Sequence, residues 1–509
     1  MHATDDPVGS ALPRRLGLGG ATVVGLAAML GAGVFVAFAP AAAVAGELLL
    51  LSLLVAALLA AANAHSSARL AVRYPTSGGT YVYARERLGL PWGHLAGWAF
   101  MVGKTASCAV MALTVGAYLW PENETILGLL VVLGALVLNL QGITRSAQAA
   151  AVIVGLVLLV LGCFVVAMFL APPDVVAEAE PETARSSVWG VLQGAGFLFF
   201  AFAGFARVAT LGEEVRSPGR TIPRAIGLSL AVVLAVYATV ALAFTTSVGV
   251  GWLAARVAPL AEAAEISGWS WLGSVLRFTA GVAAAGALLA LTLGVTRTVV
   301  AMARDHHLPR QLARVEGTHA VPRAAVLAVC IAVAVLVLLA DVRASIGVSS
   351  FCVLVYYALA NASAWTLAPG ATRVVPAVGL LGCLAVAVVL PWESVLFGVL
   401  VLGIGAFVGW FRHTTRDASP AELGDPATDD GELSSTPAST PPPLAPADAD
   451  EVDPDLLDAS GTTPLRETGA GGVRGDDVSG AHGDDAGGAP GDDAGGTGGD
   501  GTGPEALDR

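Results

Sequence analysis

Between Leu16 and Trp410 the apolar residues fall into runs of about 16 to 25, separated by short polar intervals. A run of about 20 residues, rising 1.5 Å each as a helix, spans a hydrocarbon core roughly 30 Å thick. A dozen such runs in series cannot all be hidden inside one soluble core. The pattern therefore predicts an all-α integral membrane protein with about twelve spans: 16–45, 47–67, 94–119, 126–140, 147–171, 189–211, 225–248, 271–301, 323–340, 346–367, 373–390 and 392–411. The first contains an internal break. Pro91, Pro121, Pro172, Pro218 and Pro322 fall in the intervals, where a helix breaker costs little. Arg14 and Arg15 precede the first run as in a signal peptide, but the run is too long and has no convincing cleavage site, so it reads as a retained helix.

Composition strengthens this picture. Hydrophobic residues make up 55% of the chain and charged residues 13%, against roughly a quarter charged in soluble domains. The net charge of −13 hides two unlike parts: residues 1–413 carry 23 bases and 18 acids, and residues 414–509 carry 4 bases and 22 acids. Beyond Thr414 the chain is rich in Ser, Thr, Pro, Gly and Asp, with acidic pairs such as Asp476-Asp477 and Asp484-Asp485 set between glycines. Such a segment buries too little apolar surface to offset the entropy of ordering it. The expected organisation is a cytoplasmic N-terminal segment (1–13), a membrane domain (14–413) and a disordered acidic Gly/Asp/Pro-rich cytoplasmic tail (414–509).

Orientation follows from the arginines. With the N-terminus inside, seventeen arginines lie in inside segments and four, Arg185, Arg256, Arg277 and Arg343, lie outside. That is the positive-inside bias of an even number of crossings with both ends cytoplasmic in the cell membrane.

Candidate chemistry is sparse. The first span reads Met29-Leu30-Gly31-Ala32-Gly33-Val34-Phe35, and glycines this dense permit an unwound stretch whose free N–H groups face a carboxylate. Close helix packing by small residues explains the same glycines. The sixth span repeats the theme in Phe199-Phe200-Ala201-Phe202-Ala203-Gly204-Phe205-Ala206-Arg207, followed by Glu213-Glu214. Arg207 and Lys104, the single lysine, are charges inside apolar segments, which makes both candidates for gating or coupling, with Glu213 and Glu214. For Lys104 a structural contact with a backbone carbonyl is an equal alternative. His65 reads as interfacial. The five cysteines lie inside apolar runs without metal-ligand spacing and read as packing residues. No phosphate-binding loop, nucleophile elbow or histidine pair at helical spacing occurs, so neither an enzyme, a metal site nor a nucleic-acid partner is expected.

Four stretches together resemble the amino acid–polyamine–organocation (APC) superfamily of permeases. They are Gly31-Ala32-Gly33-Val34-Phe35; Arg73-Tyr74-Pro75-Thr76-Ser77-Gly78-Gly79-Thr80-Tyr81-Val82-Tyr83; Phe202-Ala203-Gly204-Phe205 running on through Pro218 to Ile226; and Arg297 with Ala301-Met302-Ala303-Arg304-Asp305 and Pro309. The resemblance covers roughly residues 14–411 and implies a secondary transporter of the amino acid permease branch. It implies a 5+5 inverted-repeat core plus two helices, with substrate held at broken helices 1 and 6 and access alternating between faces. The backbone at Gly31, Ala32 and Gly33 would receive the substrate α-carboxylate. Phe202, Ala203 and Gly204 would hold the α-amine and limit the side-chain pocket, with Phe205 as a gate.

The chain also departs from that family. Ala206 and Arg207 follow the Gly-Phe of the sixth helix where an acid is common, Arg69 stands where a glutamate usually ends the second helix, and Val154-Gly155-Leu156-Val157 lacks a fifth-helix lysine. Membrane lipids and a small-molecule amino acid are the expected partners. The sequence leaves open H+ coupling, Na+ coupling and exchange, and implies no cofactor. The alternatives are a polyamine or other organic-cation carrier or exchanger of the same architecture and, more remotely, a non-transporting membrane sensor.

Overall fold

The computed structural model describes residues 16–75, 78–142, 147–171, 187–212, 214–315, 321–367 and 369–417. The chain divides into two units, residues 1–424 and 425–509; the second, like Ala177 and Gly317 in two intervals between spans, lies outside the described residues.

The described residues of the first unit form helices joined by turns and short connections. In chain order the helices are α1 (Leu18–Met29), α2 (Gly33–Val36), α3 (Phe38–Ala45), α4 (Leu49–Arg73), α5 (Thr80–Leu88), α6 (Leu90–Leu119), α7 (Glu124–Leu140), α8 (Ala147–Phe169) and α9 (Val188–Phe202). They continue as α10 (Ala206–Ala209), α11 (Pro218–Ser247), α12 (Val250–Ala254), α13 (Pro259–Ile266), α14 (Ser270–Arg304), α15 (Arg323–Leu339), α16 (Val342–Leu367), α17 (Val374–Val389) and α18 (Trp392–Asp417). An isolated β-bridge pairs Leu16 with Val215.

Among the described residues, ten helical stretches are long and apolar enough to cross a membrane. The fold is thus an all-α, multi-pass membrane fold. α15 and α17 are apolar but shorter, at 17 and 16 residues. The intervals hold more helix than the hydropathy pattern predicts: α5 sits between the second and third spans, and α12 and α13 between α11 and α14. The prolines also differ from expectation. Pro91 and Pro218 stand in the first turns of α6 and α11, where the missing N–H has no helical acceptor to lose. Ser187 caps α9 by accepting a hydrogen bond from the Gly190 amide at 2.9 Å.

Large apolar side chains such as Leu58, Val152, Leu159, Leu381 and Phe407 point outward and are more than half exposed. In water this surface would be a liability; against lipid it costs nothing. Burial ranks the helices. The apolar stretch of α6 is 83% buried, against 22% in α7 and α18, so α6 runs through the middle of the domain and those two lie at its edge. Small residues line much of α6, including Gly97, Ala99, Gly103, Ala106, Ala109 and Ala112, and let α14 and α16 approach it closely.

Candidate functional site

The first span is interrupted as its glycines suggest. α1 stops at Met29, Leu30–Ala32 leave the helix, and α2 restarts at Gly33. The Leu30 amide still donates to Leu26 O at 2.7 Å, and the Phe35 and Val36 amides donate to Ala32 O at 3.0 and 3.2 Å. Gly33 and Val34, opening a new helix, have no intrahelical carbonyl for their amides. The sixth span breaks more mildly. α9 stops at Phe202, Ala203–Phe205 form a single 3₁₀ turn, and α10 follows. Tighter i→i+3 bonding still releases carbonyls, because the i→i+4 ladder is out of phase on either side of it.

The two breaks cross at their glycines. A Cβ on Gly33 would lie 2.7 Å from both Cα and Cβ of Ala201, and a Cβ on Gly204 would lie 2.4 Å from the Ala28 carbonyl oxygen. Neither glycine has a positive φ. Space between two backbones, and not an unusual backbone conformation, requires the missing side chains.

Carbonyls at the breaks are held by hydroxyls from neighbouring helices. Tyr237 of α11 donates its single hydroxyl proton between Met29 O, at 2.7 Å, and Ala201 O, at 3.2 Å, so one residue ties both interrupted helices together. Tyr357 of α16 donates to Ala203 O at 3.2 Å. Lys104 of α6 reaches the same Ala203 oxygen at 3.5 Å. Tyr118 of α6 donates to Phe35 O at 2.8 Å and meets the Phe35 ring edge to face at 5.7 Å. Phe202 packs edge to face on Tyr237 at 5.1 Å, and Phe205 stacks on Tyr357 at 5.0 Å; both phenylalanines are fully buried.

The structure therefore brings Gly33, Phe202, Ala203, Gly204, Phe205 and Lys104 of the sequence candidates to one crossing, with Gly31 and Ala32 in the irregular turn beside it. Arg207 lies one helical turn beyond Ala203, half-buried, with Nη1 3.5 Å from Thr210 Oγ1 and with Arg297 and Glu214 as its charged neighbours. Glu214 enters through its backbone: its carbonyl accepts from the Leu16 amide at 3.1 Å, and Leu16 O accepts from Arg216 N at 2.8 Å. These two bonds fasten the start of helix 1 to the segment after helix 6. Glu213 lies outside the described residues. His65 is exposed on α4 and belongs to no polar cluster at the crossing.

A second polar cluster closes the same end of the bundle. The Asp305 carboxylate accepts from the Tyr81 hydroxyl and, at 2.9 Å, from Arg85 Nη1, which joins α5 to the end of α14. Burial, and then the neighbouring Asp305, push the Tyr81 phenol well above its ordinary pKa, so it stays a donor at any physiological pH.

Tyr118, Tyr237 and Tyr357 were not singled out by sequence. A signal existed: a phenol inside an apolar span needs an acceptor, and in a membrane a released carbonyl is the available one.

A family profile described as amino acid permease matches residues 16–421. The chain is 54% identical over 424 residues to the uncharacterized transporter Rv1999c of Mycobacterium tuberculosis (strain ATCC 25618 / H37Rv), covering 81% of this chain and 95% of that protein. It is 27% identical to the branched-chain amino acid permease BcaP of Bacillus subtilis (strain 168) over 338 residues, 61% of this chain and 71% of BcaP. It is 28% identical to cationic amino acid transporter 4 of Mus musculus over 366 residues, 66% of this chain and 57% of that protein.

Proposed function

Because the chain belongs to the amino acid permease family of membrane transporters, we propose that it is a secondary active amino acid transporter that works by alternating access at the crossing of its two interrupted helices. One observation carries this reading: two breaks, on spans one and six, meet within van der Waals distance at Gly33–Ala201 and Gly204–Ala28. Unpaired amides at the start of α2 suit a substrate α-carboxylate, and the positive end of a restarted helix adds to the attraction. The carbonyls of α9 and its 3₁₀ turn suit an α-amine, with Phe202 and Phe205 bounding the pocket.

In this reading the membrane domain crosses twelve times, with α15 and α17 as the short crossings. Two five-helix repeats of inverted topology are followed by two further helices, and both termini are cytoplasmic. Substituted cysteines at Asn123 and Gly219 test the orientation, since Asn123 should label from outside and Gly219 from inside; the reverse pattern would sink it.

Function is tested by reconstituting the protein in proteoliposomes and measuring uptake of labelled L-amino acids of each charge class. Accumulation of at least one of them, unaffected by excess putrescine, is expected, and a chain ending at Gly424 should transport at a similar rate. Binding without movement across a sealed membrane would refute a transporter, and putrescine uptake alone would favour an organic-cation carrier.

A further inference from the structure

Lys104 stands at the middle of α6, fourteen residues after Leu90 and fifteen before Leu119. At 1.5 Å per residue either end of the helix is about 21 Å away, far beyond the reach of a lysine side chain to the interface. It is buried, at 8% exposure. Among the described residues its one hydrogen bond is the 3.5 Å approach of Nζ to Ala203 O, a carbonyl it shares with the Tyr357 hydroxyl. An ammonium carries three donors, so one carbonyl leaves it two more to offer.

Among the described residues no acid pairs with it. The ion pairs among the described residues are Arg85–Glu86, Arg85–Asp305, Arg256–Glu262 and Arg277–Glu265. Every described acid, from Glu47 to Asp417, lies at a helix end or in a connecting segment. A charge at mid-membrane depth is costly and is normally paired. One helical turn beyond Ala203 the sign is repeated by Arg207, whose charged neighbours among the described residues are Arg297 and Glu214.

From this we infer that the transported amino acid carries an acidic side chain, and that Lys104 is the residue that pairs with its side-chain carboxylate. The inference rests on the amino acid permease reading, in which the α-carboxylate sits at the amides of α2 and leaves the cation at the second break free for another anion. It runs against cationic substrates. The α-carboxylate and α-amine of a substrate cancel, so a cationic side chain would bring net positive charge beside Lys104, Arg207 and Arg297, whereas an acidic one brings net negative charge.

The test uses the full chain in proteoliposomes with labelled L-glutamate, L-aspartate, L-glutamine, L-leucine and L-arginine. Wild type should take up glutamate or aspartate, with arginine a poor competitor. Lys104→Met keeps the stem and removes the charge, so the glutamate-to-glutamine uptake ratio should fall at least about tenfold, the loss of a charge-assisted hydrogen bond. Lys104→Arg should restore part of that ratio. Equal loss of both substrates, an unchanged ratio, or wild-type preference for leucine or arginine would overturn the assignment while leaving a permease. Should Lys104→Met fail to fold, the wild-type preference and Lys104→Arg still decide. If wild type moves none of these amino acids, the permease reading itself fails.

Discussion

Valine in place of Gly204 is expected to abolish uptake and also to lower the melting temperature of the ligand-free protein. The Cβ alone would stand 2.5 Å from the Ala28 carbonyl carbon and 2.8 Å from the Met29 amide nitrogen. These are backbone atoms, which cannot turn aside as a flexible side chain can. Overpacking of this kind costs about 1–3 kcal/mol even where neighbours can shift. Here relief means prising helix 1 away from helix 6, which separates the two halves of the proposed site. Gly33→Val should do the same from the other side, against Ala201. Packing and, in the proposed reading, substrate recognition, which the glycine pattern left as alternatives, would then coincide at these positions. Uptake in proteoliposomes and ligand-free thermal unfolding read the two effects separately. Wild-type uptake by either variant would refute the crossing as the transport site.

Tyr237→Phe should separate the effects that the glycine variants merge. The ring is expected to keep its contacts with Phe38, at 6.0 Å, and Phe202, at 5.1 Å, and the change removes only the hydroxyl. Hydrogen bonds between membrane helices average about 0.6 kcal/mol and reach about 1.7 kcal/mol, so the melting temperature should move little. Transport should respond more. Met29 O and Ala201 O flank the two breaks, and without the shared proton nothing in this pairing holds them in fixed relation. A misplacement of about 1 Å at a site of this kind costs on the order of 100-fold, so we expect uptake to drop at least tenfold with near-normal stability. Uptake within twofold of wild type would show that the bridge is incidental.

Much of the architecture was legible along the chain because a bilayer imposes its demands locally. Each span must be apolar for its own length, and that is a property of consecutive residues. The break in helix 1 was legible for a similar reason, since Gly31 and Gly33 concentrate where a span should be most regular. The break in helix 6 was marked by Gly204 and by the charge of Arg207. The short helices between spans were less visible, because α5, α12 and α13 run only nine, five and eight residues and carry no long apolar signature.

What the sequence by itself determined, then, is the set of apolar spans, the two places where helix is interrupted, and the presence of a lysine where apolar residues surround it. Only the tertiary structure decided what those features meet. Tyr237 and Ala201 are 36 residues apart, Lys104 and Ala203 are 99 apart, and Tyr357 and Ala203 are 154 apart. No local pattern encodes such pairings, because they depend on how whole helices pack and rotate against one another. The glycines show the same division. Their spacing pointed to the breaks, but their reason, two backbones too close for any Cβ, exists only where helix 1 lies against helix 6.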